Sequence, residues 1–232
     1  MKLELPLREV SLKFVYYGPG LSGKTTNLRA LHERMSEASR GQLLTLDTAD
    51  ERTLFFDMFP LSFRVAESHF HVKIYTVPGQ AIHASTRSMV VSGVDGLVFV
   101  ADSRRAAIVS NAQSFEEMRA HLRAQDLDPR ELPLVIQFNK RDLNNIRPDE
   151  ELERLARRGR DWVFPAVANR GEGVVETFLA AMRMTWRSLD ERYQLEPRLG
   201  VTEEQLLQAV AEQLGVTEPV ARLLASRFGV AA

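Results

Sequence analysis

The chain has 232 residues, 44% of them hydrophobic and 26% charged, with a net charge of −1 at neutral pH. That is enough apolar material for one large domain, or one domain with an appendage, and it gives no global electrostatic case for binding nucleic acid or an anionic membrane. The absence of cysteine excludes disulfides, thiolate metal sites, cysteine nucleophiles and lipid attachment through sulfur.

Met1 to Glu9 carry Lys2, Glu4, Arg8 and Glu9 and no long apolar core, so no signal peptide is expected. Lys2, not glycine, follows Met1, which argues against N-myristoylation. No apolar run approaches the length of a membrane span. The expected setting is the cytoplasm, without an intrinsic membrane anchor.

Leu12, Phe14, Val15, Tyr16 and Tyr17 read as a buried strand. It runs into Gly18-Pro19-Gly20-Leu21-Ser22-Gly23-Lys24-Thr25, which fits the phosphate-binding pattern G-x-x-x-x-G-K-[ST]. Thr26 to Met35 read as a helix with Leu28 and Leu31 on its apolar side. In that setting the glycines let backbone N–H groups turn toward an anion, and the helix N-terminus adds its positive end. The cradle is expected to run from Gly18 and Gly20 through Leu21, Ser22 and Gly23 to Thr26. Lys24 would reach the outer phosphates, and Thr25 would place its hydroxyl on Mg²⁺. The bland alternative is an ordinary glycine turn, against which the flanking strand and helix argue.

Gly41 breaks the helical pattern, Gln42 to Leu46 suit a short strand, and Asp47 to Thr53 are polar and loop-like. Leu54 to Leu61 are unusually aromatic; they read as a sticky surface or a buried strand, with burial favoured. From Phe70 to Val77 the chain alternates, with Phe70, Val72, Ile74 and Thr76 facing one way and His69, His71, Lys73 and Tyr75 the other. His69 and His71 share a face as metal ligands could. No third ligand is evident, so a polar outer face is the simpler reading. Pro78-Gly79-Gln80 ends the strand, and Ala81 to Val91 read as a helix.

Gly96 to Ala101 form a near-continuous apolar run, the pattern of a parallel strand covered on both faces. A helix follows from about Ser110 to Ala124. Leu134 to Phe138 is another buried strand, with Asn139-Lys140-Arg141-Asp142 at its end. Pro148 to Arg157 read as a charged helix whose basic run, Arg154, Arg157, Arg158 and Arg160, suits a solvated helix end. Trp162 to Val167 is a last strand and Gly173 to Arg192 a long amphipathic helix, with Trp162 and Trp186 read as core. The alternation predicts an α/β fold: a doubly wound, mostly parallel sheet with helices on both faces. Sites on such a sheet lie beyond the carboxyl ends of the strands.

Pro197 to Gly200 mark a boundary, giving a domain of residues 1–196 and a small helical appendage of residues 197–232. Thr202 and Gln205 form a capping-box pattern at the start of its first helix. Leu206, Leu207, Val210 and Leu214 are that helix's apolar side, and Gly215 stops it. Thr217 is expected to cap the second helix, with Leu223, Leu224 and Phe228 turned inward. Gly-Val-Thr-Glu occurs twice there, too few copies for a solenoid.

Asn139-Lys140-Arg141-Asp142 is the second chemical signal. A carboxylate at the base edge accepts two hydrogens from guanine, whereas adenine would leave it buried and unpaired. The pattern N-K-x-D therefore specifies guanine, with Lys140 along the ring face and Asn139 bracing the glycine loop. Val167, Ala168 and Asn169 follow the last strand, where the Ala168 N–H could meet the guanine oxygen.

Together, the stretch from Tyr16 to Leu28, Arg52-Thr53-Leu54-Phe55-Phe56-Asp57, Thr76-Val77-Pro78-Gly79-Gln80 and Asn139 to Leu143 closely resemble the bacterial Ras-like GTPases of the MglA (mutual gliding protein) family. The resemblance covers roughly Val10 to Leu189. It implies a monomeric, Mg²⁺-dependent GTP/GDP switch of Ras-like fold in cell polarity or gliding motility, slow to hydrolyse GTP unaided. It also implies a roadblock-fold activating partner of the MglB type, downstream effectors, and recruitment to the cell poles through partners. By position, Thr53 resembles the threonine that touches Mg²⁺ and the γ-phosphate, and Gln80 the glutamine that orients the attacking water. Arg52 resembles the family's built-in arginine finger, and Gly79 falls in the nucleotide site. Most G proteins carry an aspartate where this chain has Thr76, a substitution the family shares. We expect Asp57 to supply the missing carboxylate to Mg²⁺ through water, the alternative being a strand or turn cap. The rival readings are a nucleotide-locked scaffold with negligible turnover and, opposed by Asp142, a P-loop ATPase or kinase.

Overall fold

The strand ahead of the glycine loop occupies the middle of the structure because both of its faces are apolar. In the computed structural model, which describes residues 1–4, 8–36, 41–46, 56–78, 84–159 and 161–228, Val10, Leu12, Phe14 and Tyr16 join one core and Val15 and Tyr17 a second. A strand of this kind is buried only in a sheet covered by helices on both faces.

The described elements follow the alternation read from the sequence. In chain order they are β1 (Lys2–Glu4), β2 (Glu9–Tyr17), α1 (Lys24–Arg34), β3 (Leu44–Leu46), β4 (Phe56–Val65), β5 (Ser68–Thr76), α2 (Ala84–Val91), β6 (Gly96–Asp102) and α3 (Ile108–Arg123). There follow β7 (Leu134–Asn139), α4 (Asp149–Arg158), β8 (Trp162–Pro165), α5 (Val174–Tyr193), a short α6 (Leu195–Leu199), α7 (Glu203–Gln213) and α8 (Val220–Ala225). The sheet runs β3-β4-β5-β2-β6-β7-β8, with β1 alongside β2. From β5 to β8 the pairing is parallel; β1, β3 and β4 pair antiparallel. The α/β, doubly wound, mostly parallel reading holds.

The two cores lie on opposite faces. One gathers Leu28 and Leu31 of α1, Phe178 and Trp186 of α5, and Leu206 and Val210 of α7. The other gathers Val90 and Val91 of α2, Met118 and Leu122 of α3, and Leu152 of α4. Phe59 and Leu61 of β4 are each 1% exposed and Met58 is partly buried, while Leu54 and Phe55 of that aromatic stretch lie outside the described residues. The strand extends past Leu61 to Val65 because it returns as an antiparallel hairpin with β5. Pro60 is tolerated inside it because the ladder with β3 ends at Met58, so no β3 residue pairs with Pro60. His69 is exposed, His71 meets the Ser62 hydroxyl at 3.0 Å, and no third metal ligand joins them among the described residues.

The appendage shares the first core. Thr202 accepts from the Gln205 N–H at 3.2 Å while its own N–H donates to Gln205 Oε1 at 2.9 Å, completing the expected capping box. Arg183 and Arg187 of α5 both hold Glu203 at the start of α7. The second helix begins later than expected, with Pro219 and not Thr217 as its N-cap. Pro219 biases the preceding residue toward extended backbone, so the helix starts only beyond it. After α8 the chain reaches the sheet again, where the Phe228 N–H donates to the Val163 carbonyl at 2.7 Å. Trp162 is correspondingly not deep core: it is half-buried at this edge, with the Arg227 guanidinium 3.9 Å from its ring centroid. Trp186 is core, at 1% exposure. Among the described residues no helix is long and apolar enough to cross a membrane.

Leu206 is fully buried between α7 and the body of the fold. Leu206→Ala should therefore lower the unfolding free energy by about 2–5 kcal/mol, measured by denaturant unfolding of the full chain. A loss below about 0.5 kcal/mol would mean that the hairpin does not share the core.

Candidate functional site

Parallel strands bring the ends of β2, β5, β6, β7 and β8 to one edge, and each end delivers a loop. The loop after β2 depends on two glycines. At Gly18 (φ +147°) a Cβ would come within 2.2 Å of the Val100 carbonyl oxygen. At Gly23 (φ +104°) it would come within 2.1 Å of Asn139 Nδ2. No larger residue fits either place without moving backbone or the asparagine. The Ser22 N–H closes a turn onto the Pro19 carbonyl at 3.3 Å, and α1 starts at Lys24 with its N-terminus at the loop.

Lys24 folds back inside this loop, donating to the Gly18 carbonyl at 2.9 Å and the Pro19 carbonyl at 2.7 Å. It is 7% exposed. Burial, and then the nearby Arg87 guanidinium, push its ammonium from 10.5 down to about 8, with Asp57 opposing them. A cation held in so little solvent is a fitting partner for an anion, as a phosphate chain on this loop would be.

The loop after β7 is tied to the first by Asn139, which is 3% exposed. Its Nδ2 donates to the Ser22 carbonyl at 2.8 Å, and its Oδ1 accepts from the Ala168 N–H at 2.9 Å. The expected bracing role of Asn139 is thus visible in the geometry. The Ala168 N–H, which the sequence assigns to the guanine oxygen, has Asn139 Oδ1 as its partner in this structure. Val167 and Ala168 do lie at this end, both buried. Gly23, Thr26, Asn139, Lys140, Asp142 and Asn169 line one cleft with Leu21 and Leu143. Asp142 lies 4.0 Å from Arg170, close enough for a weak ion pair across the cleft mouth.

The sequence reading missed the partner of Lys140. Its ammonium is 2.7 Å from Asp102 at the end of β6, whose carboxylate also takes a paired contact from Arg104. Burial would raise the Asp102 carboxyl, but the hydrogen bonds from Arg104 and Lys140 outweigh it and hold it down at about 2. An aspartate closing an apolar strand was the available signal. A second network was missed for the same reason. Gln137, fully buried in β7, exchanges amide hydrogen bonds with Asn27 of α1 at 2.8 and 2.9 Å and donates to Thr177 of α5 at 3.0 Å. It fixes the helix that starts at the glycine loop.

Asp57 of β4 reaches the same end. Its Oδ2 accepts from Thr25 Oγ1 at 2.5 Å and from Thr76 Oγ1 at 3.2 Å, while its N–H donates to Thr76 Oγ1 at 2.9 Å. This is an all-oxygen group with one carboxylate, a donor set that suits a hard divalent cation such as Mg²⁺. Arg52, Thr53, Gly79 and Gln80, singled out in the sequence, lie outside the described residues.

No family model matches the chain. It is similar to the mutual gliding-motility protein MglA of Myxococcus xanthus (strain DK1622), at 42% identity over 185 residues, which cover 78% of this chain and 94% of that protein.

The state of Lys24 gives a signed pH prediction. Its folded value lies below its unfolded one, so between about 8 and 10.5 the folded chain holds fewer protons than the unfolded chain, and Lys24 adds stability as pH rises. A polyphosphate against the ammonium restores the charge. Binding at about pH 9 should therefore take up protons, read as a buffer-dependent calorimetric enthalpy that Lys24→Met abolishes. Equal enthalpies in buffers of different ionisation heat would contradict this. Asn139→Ala removes both braces at once and should weaken nucleotide binding by about tenfold or more, read by equilibrium titration.

Proposed function

The chain belongs to the MglA family of Ras-like GTPases, and we propose that it works as a two-state GTP/GDP switch in cell polarity or gliding motility. As a GTPase of the MglA type it binds guanine nucleotide. The observation that carries the reading is the hydrogen bond from Asn139 to the Ser22 carbonyl, which ties the N-K-x-D loop to the phosphate loop where the two line one cleft. One ligand, a guanine nucleotide, accounts for both loops.

The chemistry assigned to the residues is positioning and charge placement, which is most of what phosphoryl transfer needs. The loop from Gly18 to Thr26 directs N–H groups at the phosphates, and Lys24 places its charge on the outer ones. Asp142 accepts from the guanine edge, where adenine offers no matching pair of donors. Lys140, whose ammonium is held by Asp102, is assigned the contact with the face of the base. Thr25 would hold Mg²⁺, which when bound neutralises the phosphate oxygens, with Thr53 and Asp57 as further ligands, Asp57 through water. The contact between Asp57 and the Thr25 hydroxyl supports that assignment. By the motif match, Gln80 orients the attacking water and Arg52 opposes charge on the transferring phosphoryl group. Hydrolysis is slow until a roadblock-fold activator of the MglB type positions these last two residues. The protein acts as a cytoplasmic monomer that partners recruit to the cell poles, where effectors read its GTP state.

Incubation with GTP or ATP, with and without a roadblock-type partner, tests the reading through phosphate release and retained nucleotide. GTP turnover that the partner accelerates is the expected result. ATP preference would sink the guanine assignment, and GTP held without turnover would leave a nucleotide-locked scaffold. Asp57→Ala should weaken Mg²⁺-dependent GTP retention while leaving magnesium-free nucleotide binding intact. An unchanged Mg²⁺ dependence would remove Asp57 from the site.

A further inference from the structure

Leu21 combines an uncommon backbone conformation with an exposed apolar side chain. It sits in the left-handed region, at φ +61°, where a side-chain-bearing residue other than asparagine or aspartate is uncommon and strained. It is also 90% exposed, the most exposed of the large apolar side chains among the described residues. A single exposed leucine needs no explanation. A leucine held in a conformation suited to glycine and left 90% exposed contributes little to folding. In a phosphate loop that backbone turns N–H groups toward an anion, and it aims the leucine side chain outward, where a ligand can meet it.

The cleft says which ligand. Leu21 lines it with Gly23 and Thr26 at the phosphate end and with Lys140, Asp142 and Leu143 at the base end. In a nucleotide the sugar joins those two ends, so it must pass the wall that Leu21 forms. Leu143, 40% exposed, gives that wall a second apolar residue. We infer that Leu21 is a retention residue: its side chain packs over the sugar of the bound nucleotide and slows release. This rests on the guanine-nucleotide reading and adds a kinetic element to it. The phosphate loop and Asp142 select the ligand, and Leu21 sets how long it stays.

The test is the release rate of radiolabelled GDP from the full chain, followed by filter retention after dilution into unlabelled GDP. Leu21→Gly relieves the backbone and removes the side chain. It should release GDP about tenfold faster than the native protein, with no loss of melting temperature in the nucleotide-free state. Leu21→Asn also suits the left-handed backbone but is polar, and it should release as fast as the glycine variant. Leu21→Met keeps an apolar cover and should stay within about twofold of the native rate. Native release rates in both Leu21→Gly and Leu21→Asn would overturn the inference, as would Leu21→Met releasing as fast as Leu21→Asn, a comparison that survives even if the glycine variant folds poorly. Native protein that retains no GDP at all would overturn the guanine-nucleotide reading itself and this inference with it.

Discussion

Asn139 joins segments drawn from far apart in the chain: the glycine loop through the Ser22 carbonyl, and the turn after β8 through the Ala168 N–H. Both bonds are buried, so neither is diluted by competition with water, and loss of the side chain would leave two backbone groups unpaired. The parallel sheet makes this possible, because it sends the ends of β2, β7 and β8 to the same edge. Gly23 completes the arrangement by leaving room for the carboxamide. Selection of a base and cradling of its phosphates are thereby set at a fixed separation by one rigid side chain. The Gln137 network below it holds α1, β7 and α5 in the same frame.

Around Thr25 the charge is arranged differently from the usual G-protein pattern. Where an aspartate at the end of β5 would be expected, Thr76 offers a hydroxyl, and the carboxylate comes from Asp57 on the antiparallel neighbour β4. Thr76 donates to that carboxylate and accepts from its N–H, so the hydroxyl orients the acid in place of substituting for it. In the proposed reading the negative charge near Mg²⁺ then belongs to a strand that directly follows the segment bearing Arg52 and Thr53.

Much of the fold could be read from the sequence because its signals are local. The alternation in β5, the continuous apolar run of β6 and the capping box at Thr202 each depend on a few neighbouring residues. The glycine loop and N-K-x-D were legible for the same reason. What escaped reading depends on pairing between distant segments. Nothing near Asp102 says that Lys140 will be its partner, and nothing near Gln137 names Asn27. Nothing near Ala168 says that its N–H will meet the Asn139 side chain, which only the sheet brings there. Thr217 was misread as a cap because the backbone restriction imposed by Pro219 outweighed a favourable residue type.

The segment that ends at Phe228 has a meaning beyond the hairpin's own packing. β8 is the outermost strand of the parallel half of the sheet, and a bare outer strand is a template onto which another molecule's strand can add. The Phe228 N–H occupies a rung of that ladder at Val163, and the Arg227 guanidinium lies flat over Trp162 beside it. The rung is filled from within the chain, and a charge guards the aromatic residue next to it. The appendage thereby fills one rung of the sheet's outer strand with the chain's own backbone, and that rung is closed to a strand from another molecule.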